Sequence, residues 1–408
     1  MKLSDSPEEA EFRAKARDFL EGAKKQLPAD EPELLVDKVP YWKQWQRILH
    51  EAGYAGLWWP AEYGGGGVGP RLRAVFMEEL DRVGAPDRLN TIGEDFIGPT
   101  IIDFGTEAQK RGLLPRILRG EDIWCQLFSE PGSGSDLASL RTRATRVEGG
   151  WRVDGQKVWT SRAQIAQRGF LLARTTPGRH DGLTCFVVGM DSPGITVRPL
   201  AHMLGEAEFN EVFFDGLFIP DDQVVGEVDK GWRVAVAALA HERVGIATGR
   251  VNTQRAVGQL VEAVRERRDA DGRPLGERPE IRQRLADLAS RALVHYIIGQ
   301  RAVALETGEE LPGPFASIGK LYFTPLVQEI ADLRLSLDGL AGQLAPQDNP
   351  ASSWLRLAYQ SRGTAIAGGT SNIQRNVLAE RMLGMPRAPR PVDAPDRSRT
   401  SPTVQEAR

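Results

Sequence analysis

Phe128-Ser129-Glu130-Pro131-Gly132-Ser133-Gly134-Ser135-Asp136 and, downstream, Gly155-Gln156-Lys157-Val158-Trp159-Thr160-Ser161 are two glycine- and hydroxyl-rich elements set in strand-like sequence. The first joins turn-forming glycines and a proline to hydroxyls that can donate to an anionic or carbonyl-rich ligand. Its main-chain N–H groups are free to form a concavity for phosphate. The second follows a turn with an indole and two hydroxyls, which suits a flat heterocycle needing a stacking wall and an edge hydrogen bond. Taken singly, each is also the composition of an ordinary surface loop.

Outward from these elements the texture divides the chain into three. Ser6-Pro7-Glu8-Glu9 carries a Ser-x-x-Glu capping box with proline at the first helical position, and Phe12, Ala16, Phe19, Ala23 and Leu27 recur behind it at helical spacing. Further helical patches at 42–52, 72–83 and 108–118 give an all-helical segment over 1–121. From Ile123 the chain turns to short Val-, Phe- and Trp-rich runs at 151–159, 169–175, 184–189, 195–200 and 211–219, read as a small β-barrel over 122–228. Helical patterning resumes at 232–268, 279–307, 314–340 and 352–383, a four-helix bundle over 229–386. The expected class is α+β. The tail, 387–408, holds Pro389, Pro391, Pro395 and Pro402 among charged and small residues and lacks the apolar surface to order itself.

Composition narrows the function. The 408 residues are 41% hydrophobic, ample for large cores, and 52 basic against 55 acidic residues leave a net charge of −3. No basic field exists to attract nucleic acid or an anionic membrane. The longest apolar run, 234–240, falls far short of the roughly 20 residues of a membrane span. Two cysteines, Cys125 and Cys185, form no CxxC pair, and the N-terminus shows no signal-peptide core, which fits a cytoplasmic setting. His241-Glu242 is no zinc motif, because Gly245 stands where a second histidine is required.

Glu242 is the unusual acid. Its helical neighbours Ala238, Leu239, Gly245 and Ile246 are apolar or small and offer no ion pair within the helix. Abstraction of a proton beside a carbonyl demands a carboxylate in such a setting, where desolvation raises its basicity. Gly245 and Gly249 would also let a ligand approach the backbone. The residues alone leave open a structural glutamate paired with a cation from another helix. The basic run 265–268 likewise reads first as a solvated helix end.

From about Glu8 to Pro386 the chain resembles the acyl-CoA dehydrogenase family. Besides the two opening elements, Tyr63-Gly64-Gly65, Gly205-Glu206-Ala207-Glu208-Phe209-Asn210-Glu211-Val212-Phe213-Phe214 and Gly368-Gly369-Thr370-Ser371-Asn372-Ile373-Gln374-Arg375 match it in order. The resemblance implies FAD as cofactor, an acyl-CoA thioester as substrate and electron-transfer flavoprotein as electron acceptor. It implies a homodimer or homotetramer, or a heterotetramer with a second chain.

It also implies a cofactor set of Leu127, Phe128, Ser129, Gly134, Ser135, Trp159, Thr160, Ser161, Gly369, Thr370, Asn372 and Arg267. Within it, Ser161 meets flavin N5, Trp159 lies beside the ring, Ser129 reaches the pyrimidine edge, and Thr370 and Asn372 lie near the diphosphate and adenosine. Many members keep their base just before the Gly-Thr seen here as Gly369-Thr370, and that position is Gly368. A second group carries the glutamate on the long helix directly before an arginine, which Glu242-Arg243 matches. Glu242 is then the base, Arg243 orients the glutamate or the loop, and the main-chain N–H of Gly368 polarises the thioester carbonyl.

Two regions depart from the family. Its Arg-x-x-Phe-Gly element, which grips the adenosine of a neighbouring subunit, is here Arg267-Arg268-Asp269-Ala270-Asp271-Gly272, readable equally as a solvent loop. The later adenosine loop is altered to Asp338-Gly339-Leu340-Ala341-Gly342-Gln343. Ala367 replaces a bulky aromatic and, with Gly368, leaves volume for a branched or bulky acyl group. A non-catalytic partner subunit and a flavin monooxygenase or oxidase on the same scaffold are the competing functions.

Overall fold

The computed structural model describes residues 4–387 except 33, 87, 204–206, 248–252, 270, 307–312 and 341–351. The side chains of 242–247, 305–306, 313 and 352–353 also lie outside the described set. The tail expected to be disordered therefore falls outside it after Arg387.

The N-terminal helices are α1 (Pro7–Lys24), α2 (Leu35–Glu51), α3 (Pro70–Arg82), α4 (Gly98–Phe104) and α5 (Glu107–Leu118). The capping box forms as expected: Glu9 N–H donates to the Ser6 hydroxyl and Ser6 N–H to the Glu9 carboxylate. Two features differ from expectation. Helix α2 begins seven residues early with Pro40 inside it, and a π-turn, Gly93–Ile97, precedes α4. That turn is fully buried, so its packing rather than its propensity forms it.

The middle of the chain is one eight-stranded sheet: β1 (Trp124–Leu127), β2 (Arg143–Val147), β3 (Gly150–Ser161), β4 (Arg168–Arg174), β5 (Leu183–Gly189), β6 (Ile195–Leu200), β7 (Phe209–Pro220) and β8 (Val224–Val225). Its order is β6-β7-β3-β2-β4-β5-β8, with β1 parallel to β4. The sheet encloses a core of its own, in which Leu127, Leu171, Ala173, Phe186 and Val188 meet Trp151, Val153, Val212, Phe214 and Leu217. Alternate residues of β4 and β5, namely Phe170, Leu172, Cys185 and Val187, face the opposite way into the helical core. Buried on both sides, these strands read as unbroken apolar runs.

The C-terminal helices are α6 (Gly231–Ala247), α7 (Thr253–Glu266), α8 (Pro279–Glu306), α9 (Gly313–Leu337), α10 (Ser352–Thr364) and α11 (Ser371–Val377). The helical pattern expected over 352–383 is broken. Helix α10 ends at Thr364, and Gly368 and Gly369 take φ of 63° and 94°, left-handed values in the turn that leads into α11. Among the described residues no helix is long and apolar enough to cross a membrane.

Candidate active site

Strand β3 and the loop after β1 form one unit. Val158 N–H donates to the Ser129 carbonyl at 2.9 Å. Lys157, with no exposed side-chain surface, donates from Nζ to the Phe128 carbonyl and to Glu130 Oε1, each at 2.9 Å. Glu130 also accepts from the N–H groups of Arg141 (2.6 Å) and Thr142 (2.8 Å). Burial pushes the Lys157 ammonium down to about 8 against the pull of Glu130. Burial acts upward on Glu130, but Lys157 and the two backbone donors outweigh it and hold the carboxyl low.

The loop closes through paired main-chain bonds between Glu130 and Ser133, and the Ser133 hydroxyl turns inward to the Asp136 and Leu137 carbonyls. Gly134 and Ser135 are left exposed at the tip. Their N–H groups make no hydrogen bond among the described residues. Leu127 and Phe128 are buried in the two cores, Phe128 against Phe170, so only their main chain can meet a ligand.

The β3–β7 register shifts between Lys157 and Thr160, giving β3 one extra residue. That bulge puts Trp159 at φ 61°, a left-handed conformation a tryptophan rarely adopts, with 63% of its surface exposed. Its indole meets Phe209 edge-on at 6.1 Å. Thr160 is buried with its hydroxyl unpartnered, and Asn210 holds its carbonyl at 2.9 Å. Ser161 lies half-buried at the strand end. A large apolar side chain held outward in strained backbone can serve as a stacking wall for a flat ligand.

The glycine turn between α10 and α11 is held through its carbonyls. Lys320 Nζ donates to the Ala367 carbonyl, and Gln374 Nε2 to those of Gly368 (2.8 Å) and Gly369 (3.3 Å). The Gly368 N–H makes no hydrogen bond among the described residues. The Thr370 hydroxyl accepts from Ile373 N–H as the cap of α11, and Asn372 accepts from Arg375.

Glu242 and Arg243 lie in α6, but their side chains fall outside the described residues. The preceding turns of that helix are dry. Val234, Ala235 and Ala238 are buried in the core that includes Phe96 and Ile97 of the π-turn and Leu172 and Val187 of the sheet. Helix α6 also packs on α9, which carries Lys320 and in turn packs on α11. One helix thus links the segment bearing Glu242 to the glycine turn.

Arg267 is not brought to this site. Its guanidinium engages Asp338, which also binds Arg334, and burial and the neighbouring Arg267 charge push Arg334 below its usual range. The side chain expected to meet adenosine of a neighbouring subunit is thus held by Asp338 within this chain. The loop expected at 338–343 lies outside the described residues after Leu340.

Comparison with known proteins agrees with this arrangement along the chain. The acyl-CoA dehydrogenase N-terminal domain matches residues 6–121, the middle domain 125–217 and the C-terminal domain 229–383. The chain belongs to the acyl-CoA dehydrogenase family. It is 41% identical over 394 residues to the acyl-CoA dehydrogenase IpdE1 of Mycobacterium tuberculosis, covering 92% of this chain and 98% of that one. It is similar to the structure of the ChsE4-ChsE5 complex from Mycobacterium tuberculosis, with 28% identity, TM-score 0.82, and coverage of 95% of this chain and 100% of that one. The Tcur3481-Tcur3483 steroid ACAD gives 29% identity, TM-score 0.83 and the same coverage.

This acyl-CoA dehydrogenase is accordingly an oxidoreductase of an FAD-dependent family. Its residues fit that cofactor. The outward indole of Trp159 and the nearby Ser161 hydroxyl can supply a wall and a polar edge, and the open N–H groups of Gly134 and Ser135 can donate to phosphate oxygens. Sequence reasoning missed Lys157, Glu130, Lys320 and Gln374. For Lys157 a signal existed: it falls on the inward parity of Trp151 and Val153, where a lysine must find a buried partner.

Proposed function

We propose that this acyl-CoA dehydrogenase desaturates the α,β bond of a bulky, polycyclic acyl-CoA thioester, with Glu242 as the base. The observation that carries the reading is the glycine turn. Where many relatives place a carboxylate, this chain has Gly368 in left-handed backbone with its N–H open, so the base must come from elsewhere. Glu242 is the single acidic residue of α6, and the buried apolar turn before it supplies the dry setting that proton abstraction beside a thioester requires.

In this account Glu242 takes the pro-R α-proton and Gly368 N–H donates to the thioester oxygen, where negative charge grows as the proton leaves. Trp159 and Ser161 hold the flat cofactor, and Gly134 and Ser135 hold its phosphates. Arg243 orients Glu242. Bound FAD would supply the acceptor for the β-hydride. The small side chains at Ala367 and Gly368 leave room for a wide acyl group, which accords with a steroid ACAD among the similar structures. Electron-transfer flavoprotein is the proposed acceptor.

Replacing Glu242 with Gln tests the assignment. The variant should keep its FAD and yet show no bleaching of the flavin band when mixed anaerobically with the thioester that bleaches the parent. Normal bleaching would discard Glu242.

A second reading concerns assembly. Arg267 is taken by Asp338 and no phenylalanine follows it, so this chain does not present the family's adenosine grip to another copy of itself. A different subunit completing the flavin site is the arrangement this favours, and a complex of two different chains, ChsE4-ChsE5, is among the similar structures. Protein purified alone should then be poor in FAD and gain it with a second chain. Full flavin content in a homomer contradicts this.

A further inference from the structure

The donor that the proposed function assigns to Gly368 N–H belongs to the peptide unit whose carbonyl is that of Ala367. This unit is planar and trans, so its C=O and N–H point in opposite directions. Whatever grips the oxygen sets the aim of the hydrogen. Here the grip is an ammonium. Lys320, 4% exposed on α9, donates from Nζ to the Ala367 carbonyl. The units on either side are held too: Ala367 N–H donates to the Gly363 carbonyl at 3.0 Å, and Gln374 holds the carbonyls of Gly368 and Gly369. The Gly368 N–H itself makes no hydrogen bond among the described residues.

We propose that Lys320 is a positioning residue for the thioester, fixing and polarising the 367–368 peptide so that Gly368 N–H meets the substrate carbonyl as a strengthened donor. The inference rests on the reading of Gly368 given above. A charged donor on an amide oxygen draws electron density from the whole unit and makes its N–H a better donor, the cooperative effect expected along a hydrogen-bond chain in a poorly screened interior. A purely structural tie between α9 and α10, the helix that leads into this turn, is already supplied twice. Gln328 Nε2 donates to the Ser361 carbonyl at 3.1 Å, and Arg362 pairs with Asp332 at 2.7 Å. Neither needs a buried cation. Burying lysine is costly, and the hydroxyls of Ser317 and Thr324, about one turn away on either side, are themselves buried and unpartnered. An amine kept in such a place serves best where its charge is used.

The test uses the FAD-loaded protein, with its second chain if FAD requires one, and Lys320→Met and Lys320→Arg in the same form, with cinnamoyl-CoA as probe, because the ultraviolet band of that thioester moves to the red when its carbonyl is polarised. The expected result is that Lys320→Met keeps its flavin spectrum and thermal midpoint but loses most of the red shift. Its kcat should fall about tenfold to a hundredfold at nearly unchanged KM, less than the ~10²–10³ of deleting an oxyanion donor outright. Lys320→Arg should restore part of the shift. If Lys320→Met does not fold, Lys320→Gln, which keeps a neutral donor, should give an intermediate shift. A full red shift in Lys320→Met, or in Lys320→Gln where Met fails, overturns the role of Lys320 alone. Absence of any shift in the parent protein overturns the Gly368 reading beneath it.

Discussion

The loop at 128–136 and the turn at 365–370 both display main-chain donors, yet they are held by opposite means. The first is fastened by a buried ion pair, Lys157 with Glu130, whose remaining valences take the Phe128 carbonyl of the loop and the N–H groups of Arg141 and Thr142 beyond it. The second has no charge of its own. Two glycines at positive φ shape it, and donors from α9 and α11 grip its carbonyls. An ion-paired loop is rigid and shows its fittings before any ligand arrives. A glycine turn gripped from outside can be tuned by the elements that grip it, and here those elements include the helix that packs on α6.

The most severe way to break this comparison is at the base. Glu242→Gln should lower kcat by about 10²–10⁴ with both turns intact, as loss of a general base does, read by anaerobic flavin reduction. Next comes the ion pair. Lys157→Met or Glu130→Gln leaves one buried charge without its partner and should cost about 3–5 kcal/mol in denaturant unfolding, with loss of FAD. The double variant should be milder than either single change, and additive losses would contradict the pairing.

A smaller effect of opposite sign is expected at the bulge. Trp159→Gly should relieve about 1–2 kcal/mol of left-handed backbone strain while weakening FAD binding, so stability and flavin content should move apart. Should they fall together, the indole is structural.

The smallest expected effect lies away from both turns. Burial pushes the Glu79 carboxyl up, but hydrogen bonds from Arg17, Arg82 and Arg13 outweigh it and bring it to about 2. A carboxyl depressed in the fold stabilises it above the unfolded value of 4.5, and that contribution is lost as pH falls toward about 2. Glu79→Gln should flatten the acid limb of the stability profile over that window without altering flavin content.

Much of this was legible in the sequence, for physical reasons. The Ser6 capping box, the apolar runs of β4 and β5 and the helical spacing of α8 and α9 are local or periodic signals, and each formed close to its expected bounds. The candidate site was legible where the proposed role rests on a residue's own side chain or backbone freedom, as at Trp159, Ser161 and Gly368. Legibility failed where a residue acts across long separations. Lys320 reaches a carbonyl 47 positions away and Lys157 one 29 away, and neither spacing has a period. The π-turn was missed because its helical bonds are irregular, and the capture of Arg267 because Asp338 is remote in sequence. The single helical stretch expected over 352–383 misled because Gly368 and Gly369 sit within otherwise continuous helical spacing.

The division of labour between Glu242 and Gly368 can be read without any redox step by following hydrogen exchange at the α-carbon of a 3-thia analogue of a polycyclic acyl-CoA in deuterated water. The parent protein should wash deuterium into that position, Lys320→Met should do so slowly, and Glu242→Gln should not do so at all. Exchange at the parent rate in Glu242→Gln would show that another group takes the proton.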